Sequence, residues 1–164
     1  MPVNANTAIG SNPVITLREI TEETVITICK LSDTLSPAQK KIVAPNAQSI
    51  AQAYYNKHFW FRAIYADDVP VGFLMLYDNP EEQPEEPMYF LWRLMIAGPY
   101  QGLGYGKKAV QLLIEYVRSR PRAKELWVSF EDEVGSPEGF YTKLGFKRTE
   151  QMQDIEVIFS LPLV

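Results

Sequence analysis

The chain has 164 residues, with 16 Lys or Arg against 20 Asp or Glu and a formal net charge of −4 when its histidine is neutral. That length suits one domain able to bury roughly 70% of the surface its unfolded form exposes, so its core needs no disulfide or metal staple. With Cys29 the one cysteine and His58 the one histidine, an internal disulfide, a Cys/His zinc centre and a paired-histidine metal site are excluded. The acidic balance argues against a nucleic-acid partner, which needs positive surface to neutralise phosphates.

No apolar run approaches the ~20 residues of a membrane span, and the expectation is a soluble, cytoplasmic protein without membrane partners. Residues 1–12 are small and polar, with neither a basic start nor an apolar stretch, and read as a flexible tail rather than a signal peptide. Residues 13–164 read as a single domain. Within it, 13–20 predicts a strand and about 22–31 a short helix with Val25, Ile28 and Cys29 on one face; Cys29 reads as a buried structural thiol. Ser36-Pro37-Ala38-Gln39 has the S-x-x-Q capping-box form with Pro at the first helical position. Pro45-Asn46 then breaks that helix before a second run from about 47 to 56.

From His58 the pattern changes, because 58–65 is rich in aromatic residues and ends in the turn chemistry of Ala66-Asp67-Asp68-Val69-Pro70. Residues 71–77 predict the returning strand of a hairpin. The stretch 78–87 holds five acids, three prolines and no base, and 88–96 follows it as another strand. Four of the nine glycines lie between Gly98 and Gly106, and the chain beyond predicts a helix with Ala109, Val110, Leu113 and Val117 at helical spacing. That helix ends before Arg120-Pro121. Residues 124–130 predict a strand, 136–143 a short helix, and 145–148 and 155–161 two closing strands. The order describes an α/β (α+β) protein with a mixed sheet.

The cluster Gln101-Gly102-Leu103-Gly104-Tyr105-Gly106-Lys107 carries the most chemistry. Closely spaced glycines between a strand and a helix let backbone N–H groups approach a pyrophosphate, and the helix N-terminus adds favourable partial charge. The Rossmann fingerprint does not fit, because the spacing is G-x-G-x-G, and Walker A fails because Gln101 and Lys108 stand where Gly and Ser or Thr belong. Taken alone, the glycines also suit a tight turn that uses their backbone freedom.

Gln101 to Gly106 resembles the R/Q-x-x-G-x-G/A acetyl-CoA signature of the GNAT superfamily of N-acetyltransferases. Ser136-Pro137-Glu138-Gly139-Phe140-Tyr141-Thr142-Lys143-Leu144-Gly145-Phe146 is similar to that superfamily's second mark, a short helix ending in Tyr-x-x-x-Gly-Phe. Phe90-Leu91-Trp92-Arg93-Leu94-Met95-Ile96 resembles the bacterial spermine/spermidine (diamine) acetyltransferases within it. The resemblance implies a GNAT-like, mostly antiparallel central sheet with flanking helices and a splayed strand pair for acetyl-CoA. It implies an acetyl-CoA-dependent N-acetyltransferase, with acetyl-CoA as cosubstrate, no metal, and a small-molecule amine as acceptor. A homodimer is what such a resemblance suggests.

Carried over residue by residue, it assigns Gln101, Gly102, Leu103, Gly104, Tyr105, Gly106 and Lys107 to the pyrophosphate. Leu94, Met95 and Ile96 fall on the strand that pairs with the pantetheine arm, with a backbone N–H there holding the thioester carbonyl. The acceptor amine then attacks the thioester directly in a ternary complex, so positioning supplies most of the rate. Tyr141 matches the general acid that protonates the leaving thiolate. Ser136 replaces an Asn that bonds pantetheine in many members and otherwise serves as a helix cap, and Lys143 reaches the adenosine end or offsets the helix dipole.

The general base is less defined. Trp92 stands where some polyamine enzymes carry a glutamate, and it cannot accept a proton. Glu131, with Asp132 and Glu133 beside it, follows the neighbouring strand and is the candidate base; His58 is another, and solvated loop charges are the plain alternative. The acids of 78–86 and of 131–133 flank the expected cleft and would draw in a polycation. Trp60, Tyr89 and Trp92 would line the acceptor's channel or pack the sheet. Three readings follow: a polyamine acetyltransferase, an acetyltransferase for another amine such as an aminoglycoside, an amino acid or a peptide N-terminus, and a non-catalytic acetyl-CoA sensor.

Overall fold

Ser36 starts its helix as the sequence requires. Its Oγ accepts from the Gln39 N–H at 3.2 Å and the Gln39 Oε1 accepts from the Ser36 N–H at 3.1 Å, so both halves of the capping box are made and Pro37 occupies the first turn. The structure, a computed structural model, describes residues 8–164. Its elements are β1 (Ile15–Arg18), α1 (Val25–Leu31), a 3₁₀ turn (Ser32–Thr34), α2 (Pro37–Ile42), α3 (Asn46–Tyr55), β2 (Phe59–Ala66), β3 (Val69–Asp78) and β4 (Tyr89–Ile96). A second 3₁₀ turn (Gly98–Tyr100), α4 (Tyr105–Arg118), β5 (Glu125–Glu131), α5 (Glu138–Lys143), β6 (Lys147–Gln153) and β7 (Glu156–Pro162) complete the order.

The strands form one seven-stranded sheet in the order β1-β2-β3-β4-β5-β7-β6, mostly antiparallel, with β4 and β5 parallel. This is the mixed sheet that the element order predicted, with the mostly antiparallel arrangement and flanking helices that the GNAT resemblance implied. No helix among the described residues is long and apolar enough to cross a membrane.

Most boundaries moved by a residue or two, β1 shrinking from 13–20 to Ile15–Arg18, and three shifts have a local reason. α1 starts at Val25 because Thr21 and Thr24 close a turn first, with the Thr21 N–H donating to Thr24 Oγ1 at 2.9 Å. α5 starts at Glu138, with Pro137 rather than Ser136 at the cap position. β6 runs on to Gln153 because an irregularity between Arg148 and Met152 resets the register, so that Met152 still pairs with Val157.

By contacts the chain divides into two units, one running through Met75 and including Arg93–Leu112, the other comprising Leu76–Trp92 and Leu113–Val164. In the first, β1 pairs antiparallel with β2 from Ile15↔Ala66 to Arg18↔Ala63. Asp67 turns the β2–β3 hairpin at φ +52° and holds the chain ahead of β1, its carboxylate accepting from Gly10 N–H (2.9 Å) and Val14 N–H (3.0 Å). The first seven residues of the expected tail lie outside the described residues. Gly72 lets β3 and β4 approach closely, since a Cβ there would sit 2.4 Å from the Met95 carbonyl oxygen. Asn46 is buried and ties α1 to β4, its Nδ2 donating to the Ile28 carbonyl at 2.8 Å and reaching the Met95 sulfur at 3.6 Å.

Cys29 corrects the sequence reading. It is half-buried while Ile28 beside it is fully buried, because a seven-residue helix turns only a narrow stripe inward. Burial still pushes the thiol's pKa up, which keeps it protonated and unreactive.

In the second unit β4 and β5 pair from Tyr89↔Leu126 to Leu91↔Val128, and β7 pairs with β5 on one side and β6 on the other. Leu126, Val128, Phe130, Phe146, Val157 and Phe159 are buried there together with Leu113 and Val117 of α4. Asp78, nearly closed to solvent, pairs with Arg120 at 2.9 Å and accepts from the Tyr116 hydroxyl at 3.1 Å. The parallel pairing sets the start of β4, and the loop before it, beside the start of β5.

Candidate active site

The glycine loop joins the end of β4 to α4. Gly102 and Gly104 take φ of +76° and +83°, a left-handed backbone that L side chains rarely adopt, and a Cβ on either would meet nothing within 4 Å. The backbone is therefore open on its outer side, so glycine is required here for conformation and access, not to fill a tight contact. Tyr105 is buried, whereas Gln101, Leu103 and Lys107 are exposed and Gly106 is intermediate. The first intrahelical bond runs from Lys108 N–H to the Gly104 carbonyl at 3.2 Å, which leaves the preceding N–H groups without a partner inside the helix. Two lysines, Lys107 and Lys108, and no acid stand in the first turn of this fourteen-residue helix. Basic residues oppose a helix dipole at that end unless an anion lies there.

Leu94, Met95 and Ile96 close β4 just before this loop, with Met95 buried and the other two intermediate. The Ala97 N–H donates to the Val71 carbonyl at 2.8 Å. Gln101 departs from the simple assignment to a phosphate: its Nε2 donates to the Ile96 carbonyl at 2.8 Å and to Gln39 Oε1 at 3.3 Å, while its Oε1 accepts from Gln39 Nε2 at 3.0 Å. Its side chain is engaged with the protein, which leaves its backbone for any contact with a ligand.

In the second unit Tyr141 lies on α5, 6% exposed, stacked on Phe130 at 5.8 Å and edge-on to Phe140 and Phe146 at 5.0 and 5.4 Å. Burial pushes its phenol well above the ordinary tyrosine range. Glu131 is exposed at the end of β5 and stands directly opposite Glu156 of β7. Like charges in that position repel, and Glu156 is further occupied by Ser129, whose hydroxyl donates to it at 2.5 Å. Asp132 pairs with Arg148 at 3.0 Å and is not a free base. Glu133 is exposed. Ser136 is half-buried and makes no helix cap, and Lys143 is exposed in the last turn of α5.

The Acetyltransferase (GNAT) family model matches residues 28–146, most of the chain and both glycine-bearing motifs. The chain belongs to the GNAT acetyltransferase family. Solved structures agree at the level of the fold. An acetyltransferase from Thermus thermophilus superposes with a TM-score of 0.72 at 14% identity, covering 92% of this chain and 98% of that one. The ribosomal-protein-S18-alanine N-acetyltransferase of Escherichia coli gives 0.68 at 13% identity, over 92% and 94%. A GNAT family acetyltransferase from Elizabethkingia anophelis, solved with acetyl-CoA bound, gives 0.62 at 15% identity, over 93% and 99%. No curated protein sequence matches the chain significantly.

For this GNAT protein the acceptor side needs three corrections. Tyr89 does not line a channel: it is fully buried and its hydroxyl donates to the Pro121 carbonyl at 2.7 Å, because β4 pairs with β5 so as to turn it inward. Trp60 carries Arg62 on its ring face at 4.3 Å, and it sits at the end of the β2–β3 hairpin away from the Asp67 turn. That ring face is therefore already covered by a cation of the chain itself. Trp92 is half-buried and packs against Tyr77 and Phe90 at 6.3 and 5.9 Å.

The third correction concerns charge. The loop 78–87 precedes β4 and meets bases: Asp78 pairs with Arg120, Glu86 with Lys124 at 3.7 Å, and Arg122 Nε donates to the Pro84 carbonyl. Glu131 lies at the other end of β5. The two acidic groups thus lie at opposite strand ends, since β4 pairs parallel with β5. Sequence reasoning also missed Gln39 and Asn46 as supports of the loop and of β4. A signal for Gln39 existed: its capping box uses Gln where Glu also serves.

Proposed function

We propose that this chain is an acetyl-CoA-dependent N-acetyltransferase that acetylates a primary amine of a small cationic molecule, a polyamine being favoured. The observation that carries the coenzyme is the loop itself, with Gly102 and Gly104 in left-handed backbone, open on the outside, ahead of a helix whose first turn is dibasic. Those N–H groups and Lys107 would hold the pyrophosphate. The backbone of Leu94, Met95 and Ile96 would bond the pantetheine arm, with Ser136 and Lys143 as further contacts. Bound there, acetyl-CoA supplies an activated acyl group. The residues of this chain orient it and the amine for direct attack.

Tyr141 is the proposed hydrogen-bond donor to the departing thiolate, which takes its proton from solvent. Its raised pKa keeps the proton in place throughout the working range; because a thiol is the stronger acid, its contribution is a hydrogen bond that strengthens as negative charge develops on sulfur. Glu131, held against Glu156, is the proposed base and cation contact: two opposed carboxylates are relieved by an ammonium nearby. Trp92 would flank the acceptor chain. A second reading, a peptide N-terminus as acceptor, draws support from the fold shared with the S18-alanine enzyme.

Thiol release from acetyl-CoA, followed with spermine, spermidine, aminoglycosides and peptides, tests both. Turnover confined to peptides removes the polyamine, and coenzyme binding without turnover on any amine turns the chain into a sensor. Replacing Tyr141 with Phe is expected to cut turnover roughly a hundredfold while leaving coenzyme affinity nearly unchanged. Unaltered turnover would end its assignment as donor.

A further inference from the structure

The segment 32–39 is bonded to the residues that open the coenzyme loop at two places. Thr34 Oγ1 accepts from the Gly98 N–H at 2.9 Å and donates to the Leu31 carbonyl at 2.7 Å, and a Cβ on Gly98 would come within 2.4 Å of the Thr34 carbonyl oxygen. The other tie is the reciprocal amide pair of Gln39 and Gln101. The amide pair belongs to one continuous chain of bonds: Ser36 N–H to Gln39 Oε1, Gln101 Nε2 to that same oxygen, and Gln101 Nε2 to the carbonyl of Ile96 at the end of β4. Gln39 therefore does two things at once. As an acceptor it completes the cap of α2, and as a donor, Nε2 to Gln101 Oε1, it fixes which way the first side chain of the glycine loop points.

We propose that Gln39 is a positioning residue for the coenzyme loop, so that the order of α2 and the binding of coenzyme A are thermodynamically linked. With Gln101 held in this orientation, its second N–H anchors the loop to Ile96, and the backbone of Gly102 to Gly106 starts from a fixed point. The chemistry demands an amide at position 39. A carboxylate there still accepts from Ser36 N–H and still caps α2, but it places an oxygen against Gln101 Oε1 at the 3.0 Å where a donor now stands. If Gln101 turns to avoid this, its own oxygen faces the Ile96 carbonyl, so no orientation satisfies all three groups.

The inference rests on the coenzyme reading of the loop, and Gln39→Glu separates the two. Coenzyme A affinity and acetyl-transfer kinetics are measured for the wild type, Gln39→Glu, Gln39→Ala and Gln101→Ala, with thermal midpoints alongside. Both Gln39 variants are expected to bind coenzyme A about threefold to tenfold more weakly, the range of one or two exposed hydrogen bonds. KM for acetyl-CoA should rise while kcat at saturation stays within twofold, and Gln39→Glu, which keeps the cap, should lower the midpoint less than Gln39→Ala. The Gln39→Ala/Gln101→Ala double variant should bind no worse than the poorer single one. By reciprocity, coenzyme A should slow amide exchange at Lys40 and Val43 in the wild type and less so in Gln39→Glu. Failure of the wild type to bind coenzyme A overturns the function proposed for the loop. Wild-type binding with unchanged affinity and exchange in Gln39→Glu overturns the linkage and leaves Gln39 a helix cap.

Discussion

Single residues here do work that their type announces only in part. Asp67 turns a hairpin, as an Asp-Asp pair before Val-Pro suggests, yet its carboxylate also accepts two backbone N–H bonds from a segment more than fifty positions away. Those donors favour the charged form and hold its pKa below the ordinary carboxylate value. A lowered folded pKa adds stability that is fully present above the unfolded value of about 4 and is lost as pH falls through the folded one. Asp67→Asn keeps the left-handed turn, but loses one acceptor and the titration. Its deficit in denaturant stability should accordingly be largest near neutral pH and shrink below about pH 4. A deficit constant across that range would show that the charge contributes nothing. At the same scale Gln101 could be recognised as part of a motif, while its bonds to Gln39 and Ile96 could not, since an amide's partner depends on what the fold brings within hydrogen-bond reach.

Among the elements, those with a strong period were legible and the short ones drifted. α4 is the clearest case: Ala109, Val110, Leu113 and Val117, picked out by helical spacing, are all fully buried. Leu113→Ala is expected to cost about 2–5 kcal/mol and to lower the thermal midpoint by about 10 °C, whereas Leu112→Ala, one step round the helix at 39% exposure, should change it by no more than a few degrees. Equal effects would mean the stripe is misassigned. α1 and α5 are seven and six residues long, too short for periodicity to locate their ends against local turns such as Thr21–Thr24. β6 was underestimated because its exposed, polar sequence carries no alternation; only its pairing with β7 makes it a strand.

Across the whole molecule the net charge of −4 resolves into local accounts. The bases beyond the glycine loop divide: Lys107 and Lys108 stay at the start of α4, while Arg118, Arg120, Arg122 and Lys124 meet Glu115, Asp78, the Pro84 carbonyl and Glu86. The acid-rich loop is thus answered by its own neighbours, and its remaining carboxylates lie at the strand ends away from Glu131. On the polyamine reading proposed above, replacing Glu81 and Glu85 with Gln should leave KM for spermidine within twofold. Glu131→Gln should raise it several-fold, and the wild-type KM should climb with ionic strength as screening shortens the reach of the cluster. A loop variant that raises KM as much as Glu131→Gln would restore that loop to the acceptor site.

The sequence by itself determined what depends on short range: the order of strands and helices, the capping box of α2, the buried stripe of α4, and the glycine spacing that marks the family. Tertiary structure alone decided who meets whom. The parallel register of β4 on β5 buried Tyr89 and parted the two acidic groups, the β5–β7 register set Glu131 against Glu156, and the docking of 32–39 on 96–101 gave Gln39 its partner. The physical reason is that propensity and periodicity act over a few bonds. A hydrogen-bond partner or a counter-ion is chosen by strand register and direction, which no local pattern encodes.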